Sequence, residues 1–126
     1  MAGPLESVVR TMLDAFAKQD VSLATDNSTD DVQGIDEISR RWMRGSGEMK
    51  QYLEQLVGMV SDVSSELVDV HETINGDTGV LTCMLEQSYT LDGNTISITA
   101  PTTVVLRREG GAWKAALFHS VPLADQ

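Results

Sequence analysis

Sulfur and imidazole are scarce in this chain. Its 126 residues hold one cysteine, Cys83, so no internal disulfide can form. That suits a reducing cytoplasm, where the chain is placed. Two histidines, His71 and His119, and that one thiol fall short of a zinc or iron ligand set. No metal and no cofactor is expected. Bases are scarce too, with 9 Lys and Arg against 19 Asp and Glu, a formal charge of −10. Such a surface repels phosphate backbones and anionic headgroups, which argues against nucleic acid and membrane as partners. The pairs Arg40-Arg41 and Arg107-Arg108 are too small for a nucleic-acid footprint. No apolar run approaches the roughly 20 residues of a membrane span. The start, Met1-Ala2-Gly3-Pro4-Leu5-Glu6, lacks a basic stretch followed by an apolar one, so no secretory leader is expected. No glycine-rich phosphate loop, repeat or low-complexity segment is present.

What is present reads as one domain spanning 1–126, with its core over roughly 5–122. Leu5, Val8, Val9, Met12, Leu13 and Phe16 recur at helical spacing and predict a first helix. Pro4 suits its first turn. Asp20 is placed to cap a short second helix carrying Val21, Leu23 and Ala24. Asp26 to Asp31 is polar and reads as loop. Val32 to Ile35 predicts a short strand, and Arg40 to Gly45 a connector. Ser46 stands at an N-cap position, and Met49, Tyr52, Leu53, Leu56, Val57 and Val60 form the next apolar stripe.

After Ser61 the period changes from 3.6 to 2. Val68, Val70 and Ile74 alternate with Leu67, Asp69, His71 and Thr73. Asn75-Gly76, Asp92-Gly93 and Glu109-Gly110-Gly111 are turn signals. They separate long strands at 79–91, 95–107 and 112–121. Helices followed by a meander of strands make an α+β fold with the helices on one face of a sheet. Pro101 lies inside the third strand and predicts a bulge or bend there. A curved sheet over helices encloses a cavity.

The order of these elements resembles the nuclear transport factor 2-like superfamily and, within it, the SnoaL-like domains. The residues that carry the resemblance are Phe16-Ala17-Lys18-Gln19-Asp20 after the first helix, Thr29-Asp30-Asp31-Val32 before the first strand, Arg44-Gly45 before the third helix, Glu109-Gly110-Gly111-Ala112-Trp113-Lys114 at the last hairpin, and Phe118-His119-Ser120 near the end. The resemblance implies a cone-shaped fold, a homodimer through the sheet, and an apolar pocket for a small hydrophobic molecule. Its members include polyketide cyclases, ketosteroid isomerases, dehydratases and proteins without known activity. Function must therefore be argued from the site.

The resemblance also puts candidate residues on the page. Asp36 stands where ketosteroid isomerases carry a general-base aspartate. The oxyanion donors of those enzymes correspond here to Met12, which cannot donate a hydrogen bond, and Thr103, a weaker donor than a protonated acid. His119 is a second acid–base candidate near neutral pH. Strand alternation turns His119 away if Phe118 and Ser120 face the pocket. Met12, Phe16, Trp42, Met43, Met59 and Met84 suit either a greasy pocket or an ordinary core. Glu86 and Thr103, on the second and third long strands, line the pocket if their faces point inward. Cys83, in an apolar strand, reads as a core thiol. An isomerase, cyclase or dehydratase using Asp36, a ligand-binding module and a docking domain all remain open.

Overall fold

The computed structural model describes residues 3–124; Met1, Ala2, Asp125 and Gln126, at the two ends of the expected domain, lie outside the described residues. Helices α1 (Pro4–Ala17), α2 (Val21–Asp26) and α3 (Ser46–Val57) pack on one sheet. Its strands are β1 (Ser28–Asp36), β2 (Met43–Arg44), β3 (Val60–Asn75), β4 (Thr78–Leu91), β5 (Asn94–Glu109) and β6 (Ala112–Ser120). The strand order is β2-β1-β6-β5-β4-β3, antiparallel throughout except between β1 and β6. This is the predicted α+β arrangement.

The sheet bends at bulges, and Pro101 is not one of them. The β4–β5 ladder runs through the Met84–Pro101 pair without a register shift. The β5–β6 ladder ends one residue on, at Thr102 and Ser120, so the missing N–H of Pro101 breaks no bond on that side. Register shifts fall in β3, between Ser61 and Ser64 and between Val68 and His71, in the β5–β6 ladder between Val105 and Leu106, and in the β1–β6 ladder between Ser28 and Gln33. Asp62 and Asp69 sit at the β3 shifts at φ 53° and 56°, a left-handed conformation that aspartate tolerates better than most residues. Each extra residue bends its strand and resets which side chains face inward. Leu67 is therefore buried and Val70 packs on the core, while Val68 and Ile74 are exposed. The simple alternation read over 67–74 fails for that reason.

Three further boundaries differ from expectation. The polar stretch before Val32 is strand from Ser28 onward, because β6 satisfies its backbone. Ser28 pairs with Ala115, and the Ala115 N–H donates to the Asn27 carbonyl at 2.8 Å. The connector contains β2, whose Met43 and Arg44 pair with Gly34 and Gln33. Gly45, at φ 89°, is the N-cap of α3, and Ser46 is its first helical residue. Asp20 does cap α2, accepting from the Leu23 N–H at 3.1 Å.

The main core lies between α1 and the middle of the sheet. Leu5 and Val9 pack with Leu81, Leu85, Val104, Leu106 and Ala115, all buried. Glu72 of β3 reaches the start of α1, where its carboxylate accepts from the Leu5 and Glu6 N–H groups at 3.1 and 2.9 Å. Those donors have no partner within the helix, and the helix dipole favours an anion there. At Gly79 the sheet and α1 meet so closely that a Cβ would lie 2.7 Å from Leu5 Cδ1. Leu5 is fully buried and has nowhere to move. Gly79→Ala should therefore cost about 1–3 kcal/mol by overpacking, read as a lower urea midpoint; an unchanged midpoint would contradict this contact.

Candidate active site

The helices touch the sheet at both ends and leave a gap between. A second buried cluster, Leu56, Val60 and Tyr89 with Phe16 and Tyr52 against it, closes the far end. Between the two clusters lies a cavity of about 120 Å³. An apolar cavity of ~150 Å³ in another protein takes up benzene, so this space is on the scale of a small organic molecule. Met12, Phe16, Val32, Met43, Met49, Leu53 and Phe118 supply much of its greasy wall. Gly34 of β1 is backed by Met49, whose methyl fills the space that a Cβ would take.

Four ionisable groups interrupt this wall, namely Asp36, Glu37, Tyr52 and Tyr89. β1 ends at Asp36 and the chain turns at Glu37, so strand alternation lapses and adjacent acids both reach the cavity. The turn is tied by Asp36 itself. Its Oδ1 accepts from the Ile38 N–H at 3.0 Å and the Ser39 N–H at 2.7 Å. The Tyr52 hydroxyl donates to the same carboxylate, 2.8 Å from Oδ1 and 3.0 Å from Oδ2. The Arg40 N–H donates to the Asp36 carbonyl at 3.2 Å, while its side chain turns away from the carboxylate and donates from Nε to the Glu37 carbonyl at 3.4 Å. Ser120 lines the cavity too, and its hydroxyl is 2.8 Å from that of buried Thr102.

Glu37 is the electrostatic outlier. Burial pushes its carboxyl from the ordinary 4.5 up to about 7; the Asp36 charge adds to the shift, and a hydrogen-bonding interaction with the Tyr89 hydroxyl opposes it. Burial and then the two neighbouring acids raise both tyrosines, so each phenol keeps its proton and remains a donor. Among the described lining residues there is no lysine, arginine or histidine. Among the described residues no group of three His, Cys, Asp or Glu side chains is arranged to hold a metal ion. No helix of the described chain is long and apolar enough to cross a membrane.

The predicted site residues divide cleanly. Met12, Phe16, Asp36, Phe118 and Ser120 line the cavity. His119 points the other way, exposed on the outer face of the sheet and paired with Thr103. Trp42 stacks on His119 there, with ring centroids 5.9 Å apart, and so does not reach the cavity. Thr103 faces outward because Thr102 and Val104 take the inner positions. Glu86 lies in an outer polar groove with Ser64, Ser88 and Thr99. Met59, just past α3, is 54% exposed. Cys83 is buried in the core, where burial raises its thiol, which suits no nucleophile. Glu37, Tyr52 and Tyr89 were missed as site residues. The available signal was two tyrosines on core-facing stripes, since a buried phenol needs a polar partner.

Glu37 gives this site a pH signature. Its pKa is higher folded than unfolded, so between about 4.5 and 7 the folded state holds more protons. Stability contributed by this group is complete below that window and is lost as pH rises through it. Glu37→Gln removes the effect. The melting temperature of the wild type should therefore fall relative to that of the variant as pH rises from 4.5 to 7, and parallel curves would contradict the burial of this acid.

The sequence signature of the SnoaL-like domain matches residues 5–124. No curated protein matches the chain. Among solved structures, a candidate dehydratase of the nuclear transport factor 2-like family from Streptomyces avermitilis superposes with a TM-score of 0.85 at 18% identity, covering 96% of this chain and 95% of that one. A candidate aromatic ring hydroxylase from Novosphingobium aromaticivorans gives 0.88 at 17% identity, over 95% and 87% of the two chains. A ketosteroid isomerase-like protein from Erwinia carotovora gives 0.81 at 19% identity, over 96% and 95%. At these identities the likeness establishes the fold and nothing finer. With the matched signature spanning nearly the whole chain, the protein belongs to the SnoaL-like domain family and has the nuclear transport factor 2-like fold.

Proposed function

We propose that this protein binds a small hydrophobic molecule between its sheet and helices and moves a proton on it. The observation that carries the reading is an apolar cavity holding two carboxyl groups and two protonated phenols. A carboxylate in such a place suits general-base work, and burial tunes it toward neutral pH. Tyr52 gives its hydrogen bond to Asp36, and the Tyr89 hydroxyl, now bonded with Glu37, is the donor that can turn to an oxygen on which charge develops. The base belongs to the Asp36–Glu37 pair. The reaction class is the isomerase, cyclase or dehydratase kind, in line with what the dehydratase and ketosteroid isomerase-like neighbours are called. A pure docking domain would fill this space with its own side chains, and the open cavity counts against it. One observation favours a ligand-binding module without chemistry. Met12 lines the cavity and can donate no hydrogen bond.

Cyclohexanone is a suitable probe, because a base in the cavity would exchange its α-hydrogens with D2O. Saturable shifts of the Met12 and Met49 methyl signals should report binding. Deuterium uptake should exceed the buffer rate by about 100-fold or more. The double variant Asp36→Asn with Glu37→Gln should bind the ketone and exchange it no faster than buffer. Binding without exchange by the wild type would select the non-catalytic module; absence of any methyl shift would reject the pocket reading.

The homodimer is part of the same proposal. The outer sheet face carries two cross-strand apolar rows, Val68–Met84–Pro101 and Val80–Val105–Leu117. Val105→Arg would bury a charge in a sheet-to-sheet interface. It should turn a dimer into a monomer by light scattering, and a variant that stays dimeric would exclude this face.

A further inference from the structure

The two acids at the end of β1 are not equivalent. Asp36 is built into the turn. Three donors hold its carboxylate, the Ile38 N–H, the Ser39 N–H and the Tyr52 hydroxyl, with three contacts on Oδ1 and one on Oδ2. Asp36 thus holds the turn and aims Tyr52.

Glu37 stands one residue on, in the turn that Asp36 ties, and its side chain lines the same cavity. The groups facing it are Asp36 beside it, Tyr89 from β4 and Tyr52 from α3. No cation lines the cavity among the described residues, so Glu37 has only a backbone hydrogen bond and the Tyr89 hydroxyl to favour its charged form. We infer that Glu37 gives and takes the proton in this cavity, that Asp36 is a positioning residue, and that the substrate is a small neutral carbonyl compound. This rests on the function proposed above. The substrate class follows from the charges present. Two acids without a cation repel an anion, the greasy wall rejects a hydrated ion, and the Tyr89 hydroxyl is a donor suited to a carbonyl oxygen. Burial, which pushes Glu37 up to about 7, supports the assignment, since a base titrating near working pH is the most effective.

The step balances without any further reactant. The Glu37 carboxylate takes a proton from the carbon beside the carbonyl. The electron pair of that C–H bond moves into the C–C bond, and the carbonyl π pair moves to oxygen, where the Tyr89 hydroxyl, released as Glu37 takes the proton, donates to the enolate. Protonated Glu37 then returns its proton to carbon. Return to the same carbon, after the Glu37 carboxyl has swapped its proton for a deuteron of the solvent, is exchange; return to a conjugated carbon is isomerisation. Nothing is oxidised or reduced.

The test is cyclohexanone exchange in D2O, followed across pH in the wild type and single variants. In the wild type the rate should rise with pH through about 7, as Glu37 ionises. Glu37→Gln, nearly identical in shape, should lose about 100-fold or more, whereas Asp36→Asn should lose less than about tenfold. Asp36→Asn should also move the pH midpoint downward, because it removes a charge that raises Glu37. Glu37→Asp, which keeps a carboxylate, should keep part of the rate together with its pH dependence, an outcome that misfolding could not mimic. If Glu37→Gln keeps its exchange while Asp36→Asn loses it, the assignment of Glu37 is overturned and the proposed function stands. If the wild type binds the ketone and exchanges nothing, the proposed function fails and takes this inference with it. A wild type that exchanges an anionic keto acid faster than cyclohexanone would overturn the substrate class alone.

Discussion

The molecule depends on where its helices are allowed to touch its sheet. Leu5 and Val9 of α1 meet Leu81, Val104 and Leu106 in full contact, and Leu5 lies against the bare backbone of Gly79. At the other end Leu56 of α3 meets Val60 and Tyr89. Between these contacts the two layers do not close and leave the cavity. Unfilled apolar space forfeits dispersion contacts and lowers stability. The two packed ends, and the carboxylate of Glu72 on the start of α1, offset that cost. Stability is concentrated away from the cavity, which leaves the cavity wall free to serve a ligand.

The polar end of the cavity follows from the same geometry. β1 runs beside β6 and stops at Asp36, where the chain must turn. Asp36 makes the turn by accepting the next backbone N–H groups. That act carries Glu37 into the cavity and leaves Tyr52 anchored to Asp36. A structural need and a chemical opportunity thus share one pair of residues. The bond network fixes in place the acid that corresponds to the family's base.

Much of the fold was readable because it rests on periodicity and turn chemistry. The apolar stripes of α1 and α3 and the Asn75-Gly76 and Asp92-Gly93 turns place their elements to within a few residues. What escaped was long-range pairing. Ser28 to Asp31 are polar yet form strand, anchored where Ser28 pairs with Ala115 of β6, more than 80 residues away. The breaker chemistry of Pro101 is conspicuous, yet its ladder to β4 is unbroken; register shifts lie elsewhere, two of them in β3 beside aspartates whose left-handed φ leaves no clear mark in sequence. Within the site, Met12, Phe16, Phe118 and Ser120 were legible from their faces. Trp42 and His119 were not, because their stack lies on the outer surface of the sheet. Glu37 was overlooked because alternation assigns neighbours to opposite faces, a rule that ends where the strand ends.

The central claim is that an open apolar cavity lies between the two packed clusters. A crystal pressurised with xenon tests it most directly, since xenon occupies apolar voids and gives a strong anomalous signal. The account predicts a xenon atom among Phe16, Val32, Leu53 and Phe118, with Asp36 and Glu37 at its edge. A structure with no xenon there, and those side chains collapsed into contact, would contradict it.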